Sequence, residues 1–244
     1  MRFILTLCSF FLTKSAFAQA QGFNLPGMSL NFGQGADLVD TLQLLSIFTI
    51  ITLAPAILVL CTCFTRIIVI MAFIRQAIGT QNMPPNQLLV GFSLFLTFFI
   101  MQPTAERMYE NSISPYMEKK VTSVQAIKGI EYELRGFMSK QVRKTDLQLF
   151  YDITGVPLPG TIDDVPTHFL IPSFIISELK TAFQIGFLLY LPFLILDMVI
   201  ASVLMAMGMM MLPPVIVSFP FKLLLFVLVD GWHLVTGSVI RSFN

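Results

Sequence analysis

AFQIGFLLYLPFLILDMVIASVLMAMGMMMLPPVIVSFPFKLLLFVLVDGWHLVTGSV, residues 182–239, carries only three formal charges, Asp197, Lys222 and Asp230, in two apolar runs joined by a methionine-rich turn. Ala182–Leu204 and Val215–Val239 are each long enough to cross a bilayer core, which takes about 20 helical residues. Only helices or closed barrels satisfy the backbone there, and runs of this length read as helices. Pro192 and Pro220 lie inside the runs, so both spans are expected to be imperfect.

Two further apolar blocks precede this hairpin. The first runs from Leu42 to about Phe64 with Pro55 inside it, and continues past Arg66 to Ile74. Pro55 is expected to bend it. The second runs from Gln87 to Met101, after a turn, Thr80–Asn86, whose Pro84 and Pro85 are placed to start a helix. The fold class expected is an all-α membrane protein with about four hydrophobic, proline-broken helices in hairpins. Composition agrees: 55% of the chain is hydrophobic and 12% charged, against about 25% charged in a soluble domain. A net charge of +1, without a basic stripe interleaved with aromatics, gives no reason to expect nucleic acid.

Residues 105–164 hold eight of the fifteen Lys/Arg and nine of the fourteen Asp/Glu, so an insert lies outside the bilayer. Val124, Ile127, Ile130, Leu134, Phe137 and Met138 recur at helical spacing, and Thr122 with Gln125 fits a capping box. A shorter helix is expected over Pro103–Lys120, and Gly155–Pro166 reads as a turn-rich exit. At the other end, Arg2, the apolar run Phe3–Leu12 and the pattern Ala16-Phe17-Ala18 read as a secretory signal. The expected order is a signal peptide at 1–18, an N-terminal periplasmic segment at 19–41, a first hydrophobic hairpin at 42–104, a soluble helical insert at 105–169 and a second hairpin at 170–244.

A cleaved signal places the mature N-terminus outside, so block one is expected to run inward. The loop Phe64–Gln87 is then cytoplasmic, with Arg66 and Arg75 as its positive-inside residues and no acidic residue between Asp40 and Glu106. The insert and the C-terminus fall on the periplasmic side.

Ionisable residues within apolar helices cost about 2.5–3.5 kcal/mol each in lipid and must face protein or water. In an antiparallel hairpin centred between Met209 and Met210, Asp197 and Lys222 are equidistant from the centre, and so are Glu178 and Arg241. Two acid/base pairings are therefore expected, bracing one hairpin or joining neighbouring copies; the alternative is a chance match of snorkelling residues. Met205, Met207, Met209, Met210 and Met211, with Gly208, form the turn. Adaptable methionines suit a compliant seal, while composition alone favours ordinary apolar filling of a tight hairpin. Cys61 and Cys63 are two positions apart on a helix and point away from each other, so they read as apolar fillers and no metal is expected. His168 and His233 lie in different segments, no phosphate loop or nucleophile elbow is present, and neither an enzyme nor a cofactor is expected.

The strings FTRI (Phe64–Ile67), GTQNMPPNQ (Gly79–Gln87), SELKTAFQIGF (Ser177–Phe187) and MGMMMLPP (Met207–Pro214) are long and specific. Phe64–Pro103 and Leu170–Phe243, most of the mature chain, closely resemble the FliP family of flagellar export-gate proteins, which is related to the injectisome export-gate component of the same type. The resemblance implies a homo-pentameric ring that joins FliQ and FliR in the inner membrane and flagellar basal body, and passes unfolded flagellar subunits. It implies that Met209, Met210 and Met211 form the gasket of the pore, and that Phe137, Phe150 and Glu178 serve self-association. It also implies a conical stack of tilted, broken hairpins lifted largely out of the bilayer, a passive conduit whose energy comes from a separate ATPase and the proton gradient. The signal peptide favours the flagellar branch over the injectisome branch. Lipid or many partner chains must cover the excess apolar surface, and a small-solute or ion transporter subunit is the alternative class, in which broken helices and buried carboxylates are equally at home.

Overall fold

The computed structural model of the chain describes residues 24–25, 28–29, 38–80, 83–209 and 211–243. The expected signal peptide lies outside the described residues. Two units are distinguished, Met1–Pro55 and Ala56–Asn244. In the first, β1 (Asn24–Leu25) pairs antiparallel with β2 (Met28–Ser29), and α1 (Leu38–Leu60) begins. α1 stays helical through Pro55, and the chain breaks instead at Cys61–Cys63.

The second unit is built around α2 (Phe64–Ile78). Cys63, Ile67, Ile70, Met71, Ile74, Ala77 and Ile78 are all at most 4% exposed, the spacing of a helix buried along a broad stripe. Gly79, at φ +86°, ends it in the left-handed conformation, with its amide on the Gln76 carbonyl. α3 (Asn86–Met108) returns antiparallel, held at the turn by Arg75, which donates to the Pro84 carbonyl and to Asn86 Oδ1. It does not stop before Gln102 and Pro103. It runs through Pro103 and continues by a π-helical turn, Tyr109–Ile113, into α4 (Ser114–Met117). The separate short helix expected over Pro103–Lys120 is thus an extension of the second block.

α5 (Ser123–Gln141) opens with the expected capping box: Thr122 Oγ1 accepts from the Gln125 amide at 3.4 Å, and the Thr122 amide donates to Gln125 Oε1 at 2.9 Å. α6 (Lys144–Thr154) follows, and α7 (Thr167–Ala206) then runs for 40 residues through Pro172 and Pro192, about 60 Å of helix. α8 (Pro214–Leu228) and α9 (Gly231–Arg241) complete the unit, bent by 66° at Val229–Asp230.

α2 packs on α7, on α3 and on α8. α5 and α6 pack on the first part of α7, where Met138, Leu147, Tyr151, Val165, Leu170 and Phe174 form a second core. The insert is therefore not a free-standing domain, and a boundary at residue 169 falls inside α7. Two helical stretches, Asn86–Met117 and Thr167–Ala206, are long and apolar enough to cross a membrane, and α8 with α9 makes a third if the bent pair counts as one span. Only 11% of the most apolar window of α7 is buried within the chain, so its cover must come from outside.

α7 comes close to α2 at Gly186. A Cβ there would sit 2.8 Å from the ring of Phe73, which is itself held edge-on to Phe183 at 5.5 Å. Gly186→Leu is expected to push α7 off α2 at a cost of about 1–3 kcal/mol, read as a lower thermal midpoint of the detergent-purified protein. An unchanged midpoint would show that the contact is looser than described.

Candidate functional site

Three polar assemblies interrupt this apolar chain, and the first is centred on Arg66. The guanidinium is 2% exposed. Nε donates to Glu178 Oε2 at 2.9 Å and Nη2 to Glu178 Oε1, a bidentate pair. Nη2 also donates to Gln141 Oε1 at 2.9 Å, and Nη1 donates to the Ser242 carbonyl at 2.8 Å and to Ser242 Oγ at 3.2 Å. The five donors of the fork thus meet five acceptors, and the Phe243 ring lies 3.9 Å from Cζ. One side chain ties α2 to the end of α5, to α7 and to the residues after α9.

That arrangement corrects three expectations. Glu178 does not pair with Arg241, which makes no ion pair among the described residues; it pairs with Arg66, because α7 lies along α2 and the hairpin's symmetry does not extend so far from its turn. Glu178 is 0% exposed, so it is not a self-association contact. Arg66 is not a loop residue on the side opposite the insert: it sits at the end of α2 where the insert and the C-terminal residues meet. Arg75 lies at the other end, against the turn.

Beside this hub, Ser177 Oγ donates to Asp146 Oδ2 at 2.7 Å and accepts from the Arg143 amide at 3.1 Å, fixing α6 on α7. Phe137 is half-buried against Phe174, with ring centroids 6.0 Å apart, and Phe150 is half-buried on α6. Each is left with a partly free face.

The second assembly lies in the α7–α8 hairpin. Lys222 Nζ is 2.6 Å from Asp197 Oδ2 in the same chain, and Ser218 Oγ donates to Asp197 Oδ1. Lys222 is 3% exposed and Asp197 20%. With its charge neutralised at this depth, the hairpin has a fixed register.

The hairpin's tip is shaped by Gly208, at φ +75°. The Gly208 amide donates to the Met205 carbonyl and the Met209 amide to the Leu204 carbonyl, both at 3.0 Å, the paired bonds of a Schellman end. The helix stops there, and the described methionines around the turn are exposed. Met205, Met207 and Met209 are 61%, 67% and 39% exposed, and Met211 is 98% exposed; Met210 lies outside the described residues. So much exposed thioether on one tip argues against apolar filling of the hairpin's own core.

The third assembly is the α8–α9 bend. Asp230 adopts φ 51°, ψ 55°, and its carboxylate does not cap α9. A Cβ on Gly231 would sit 2.2 Å from the Phe226 ring, so glycine is required next to it.

Of these features, sequence reading missed the Arg66 hub. Glu178 is 112 positions away and Ser242 is 176, and no periodicity links them. The one available signal was that an arginine inside an apolar run needs a carboxylate.

Known proteins are similar to this chain over most of its length. A family model described as "FliP family" matches residues 47–239. The chain is 52% identical over 204 residues to the flagellar biosynthetic protein FliP of Bacillus subtilis, covering 84% of this chain and 92% of that one. It is 47% identical over 245 residues to the protein of the same name from Borreliella burgdorferi, covering 99% and 96%, and 45% identical over 222 residues to that of Aquifex aeolicus, covering 90% and 92%. A match of this extent places the chain in the FliP family.

Proposed function

We propose that this chain is the core subunit of the flagellar type III export gate and forms the gated passage for unfolded flagellar subunits. It is a membrane-embedded component of the flagellar export apparatus, structural in role; it contributes the passage and no catalysis. Copies of the chain assemble as a homo-pentameric ring joined by FliQ and FliR in the inner membrane at the basal body. The segment 105–169 and the C-terminus face the periplasm, and the turn between α2 and α3, with Arg75, faces the cytoplasm. Phe137 and Phe150 use their free faces for contact between copies.

The observation that carries this reading is a methionine tip with Met211 98% exposed, on a hairpin whose helices are scarcely buried in their own chain. Gathered around an axis, such tips make a soft apolar plug at Met209, Met210 and Met211, one that yields to passengers of many shapes. The Asp197–Lys222 pair holds each hairpin in register so that the tips meet.

Replacing Met209, Met210 and Met211 together with alanine is expected to make cells that overproduce the gate leak ions, measured as dye-reported membrane depolarisation. Unaltered conductance together with unaltered export would contradict the plug.

A further inference from the structure

We propose that the groove at the α8–α9 bend is a socket for a basic side chain presented, among apolar residues, by a different chain of the assembled gate. The groove has a volume of about 400 Å³ and is lined mainly by apolar side chains, among them Ile78, Leu223, Phe226, Val227 and Trp232. Among the described residues Asp230 is the only charged one on its lining, and its carboxylate makes no hydrogen bond or ion pair among them. Trp232 stands edge-on to the buried Phe226, with centroids 5.3 Å apart at 89°, so the aromatic wall is held in place. A carboxylate beside aromatic and aliphatic walls suits a cation on an apolar stem, which it neutralises while the walls take the methylenes.

No cation of this chain pairs with Asp230 among the described residues. Among the described residues, Arg66, Arg75 and Lys222 are already engaged within the chain. The other basic residues belong to the insert or to Lys180 and Arg241. Arg241 ends α9, about 15 Å along the helix from the bend. An apolar interface closing over an unpaired carboxylate is strongly disfavoured, so the partner must bring the charge.

This inference rests on the reading that the chain assembles with other membrane subunits. The test co-expresses the full chain with FliQ and FliR and purifies the complex by a tag on this chain. Asp230→Asn, which keeps the shape and removes the charge, is expected to weaken retention of one partner at least about thirtyfold. Asp230→Lys is expected to abolish it while leaving the homo-oligomer intact, and a Lys or Arg to Glu change in that partner is expected to restore it. Benzoylphenylalanine in place of Leu223 is expected to cross-link to the same partner. Wild-type retention in both Asp230 variants, or cross-linking only to lipid or to a second copy, would overturn the socket. Failure of the wild-type chain to retain either partner would instead overturn the assembly reading.

Discussion

Replacement of Arg66 by alanine is expected to destabilise the protein by about 3–5 kcal/mol, the cost of leaving a buried charge without its partner. Glu178 is 0% exposed and receives both arms of the guanidinium; without them it has no route to water. The loss extends beyond the pair, since Gln141 and Ser242 lose their donor as well. Arg66→Lys is expected to fall between wild type and alanine, because an ammonium keeps the charge but lacks the planar fork. The informative variant is the double replacement of Arg66 and Glu178 by methionine. Buried ion pairs exchanged for apolar residues of similar volume are often neutral, so the double variant is expected to be more stable than either single replacement. Thermal unfolding in detergent, followed by resistance to protease, reads all of these. Equal loss in single and double variants would mean that the four-way tie, rather than the buried charge, dominates.

The second large effect is expected in the hairpin. Asp197→Ala leaves Lys222, 3% exposed, without a counter-charge, again at about 3–5 kcal/mol, and frees Ser218 as well. Exchanging the two charges, Asp197→Lys with Lys222→Asp, is expected to recover much of the loss, since Ser218 can serve either group. Export in motile cells and the amount of assembled complex are the readouts. A swapped chain no better than either single variant would show that the 2.6 Å contact contributes nothing to assembly.

What the sequence made legible follows from how local each signal is. Thr122 and Gln125 are three positions apart, and their capping box is where the spacing put it. Equal separation from one turn carried Asp197 and Lys222 to the same depth, and they meet. The same rule failed for Glu178 and Arg241 because the 66° bend after Leu228 takes α9 out of the hairpin's symmetry, while α2 brings Arg66 alongside α7. Hydropathy found the apolar blocks but misjudged their ends: proline at position 103 sits inside a helix whose packing outweighs one lost amide bond, and α7 begins well before its apolar run, at Thr167. Arg66 looked like a loop cation because nothing near it in sequence is acidic; its partner is supplied by tertiary structure alone.

Across these features, the chain is an incomplete object. Arg66 and Lys222 are paired within it, its central helix is buried, and its longest apolar helix is left open, as expected of one segment of a larger wall. Native mass spectrometry of the detergent-solubilised complex, with the chain expressed alone and then with FliQ and FliR, tests this most directly. Ring formation predicts a particle holding several copies of this chain, heavier when the partners are present. A stable, solitary monomer under both conditions would contradict it.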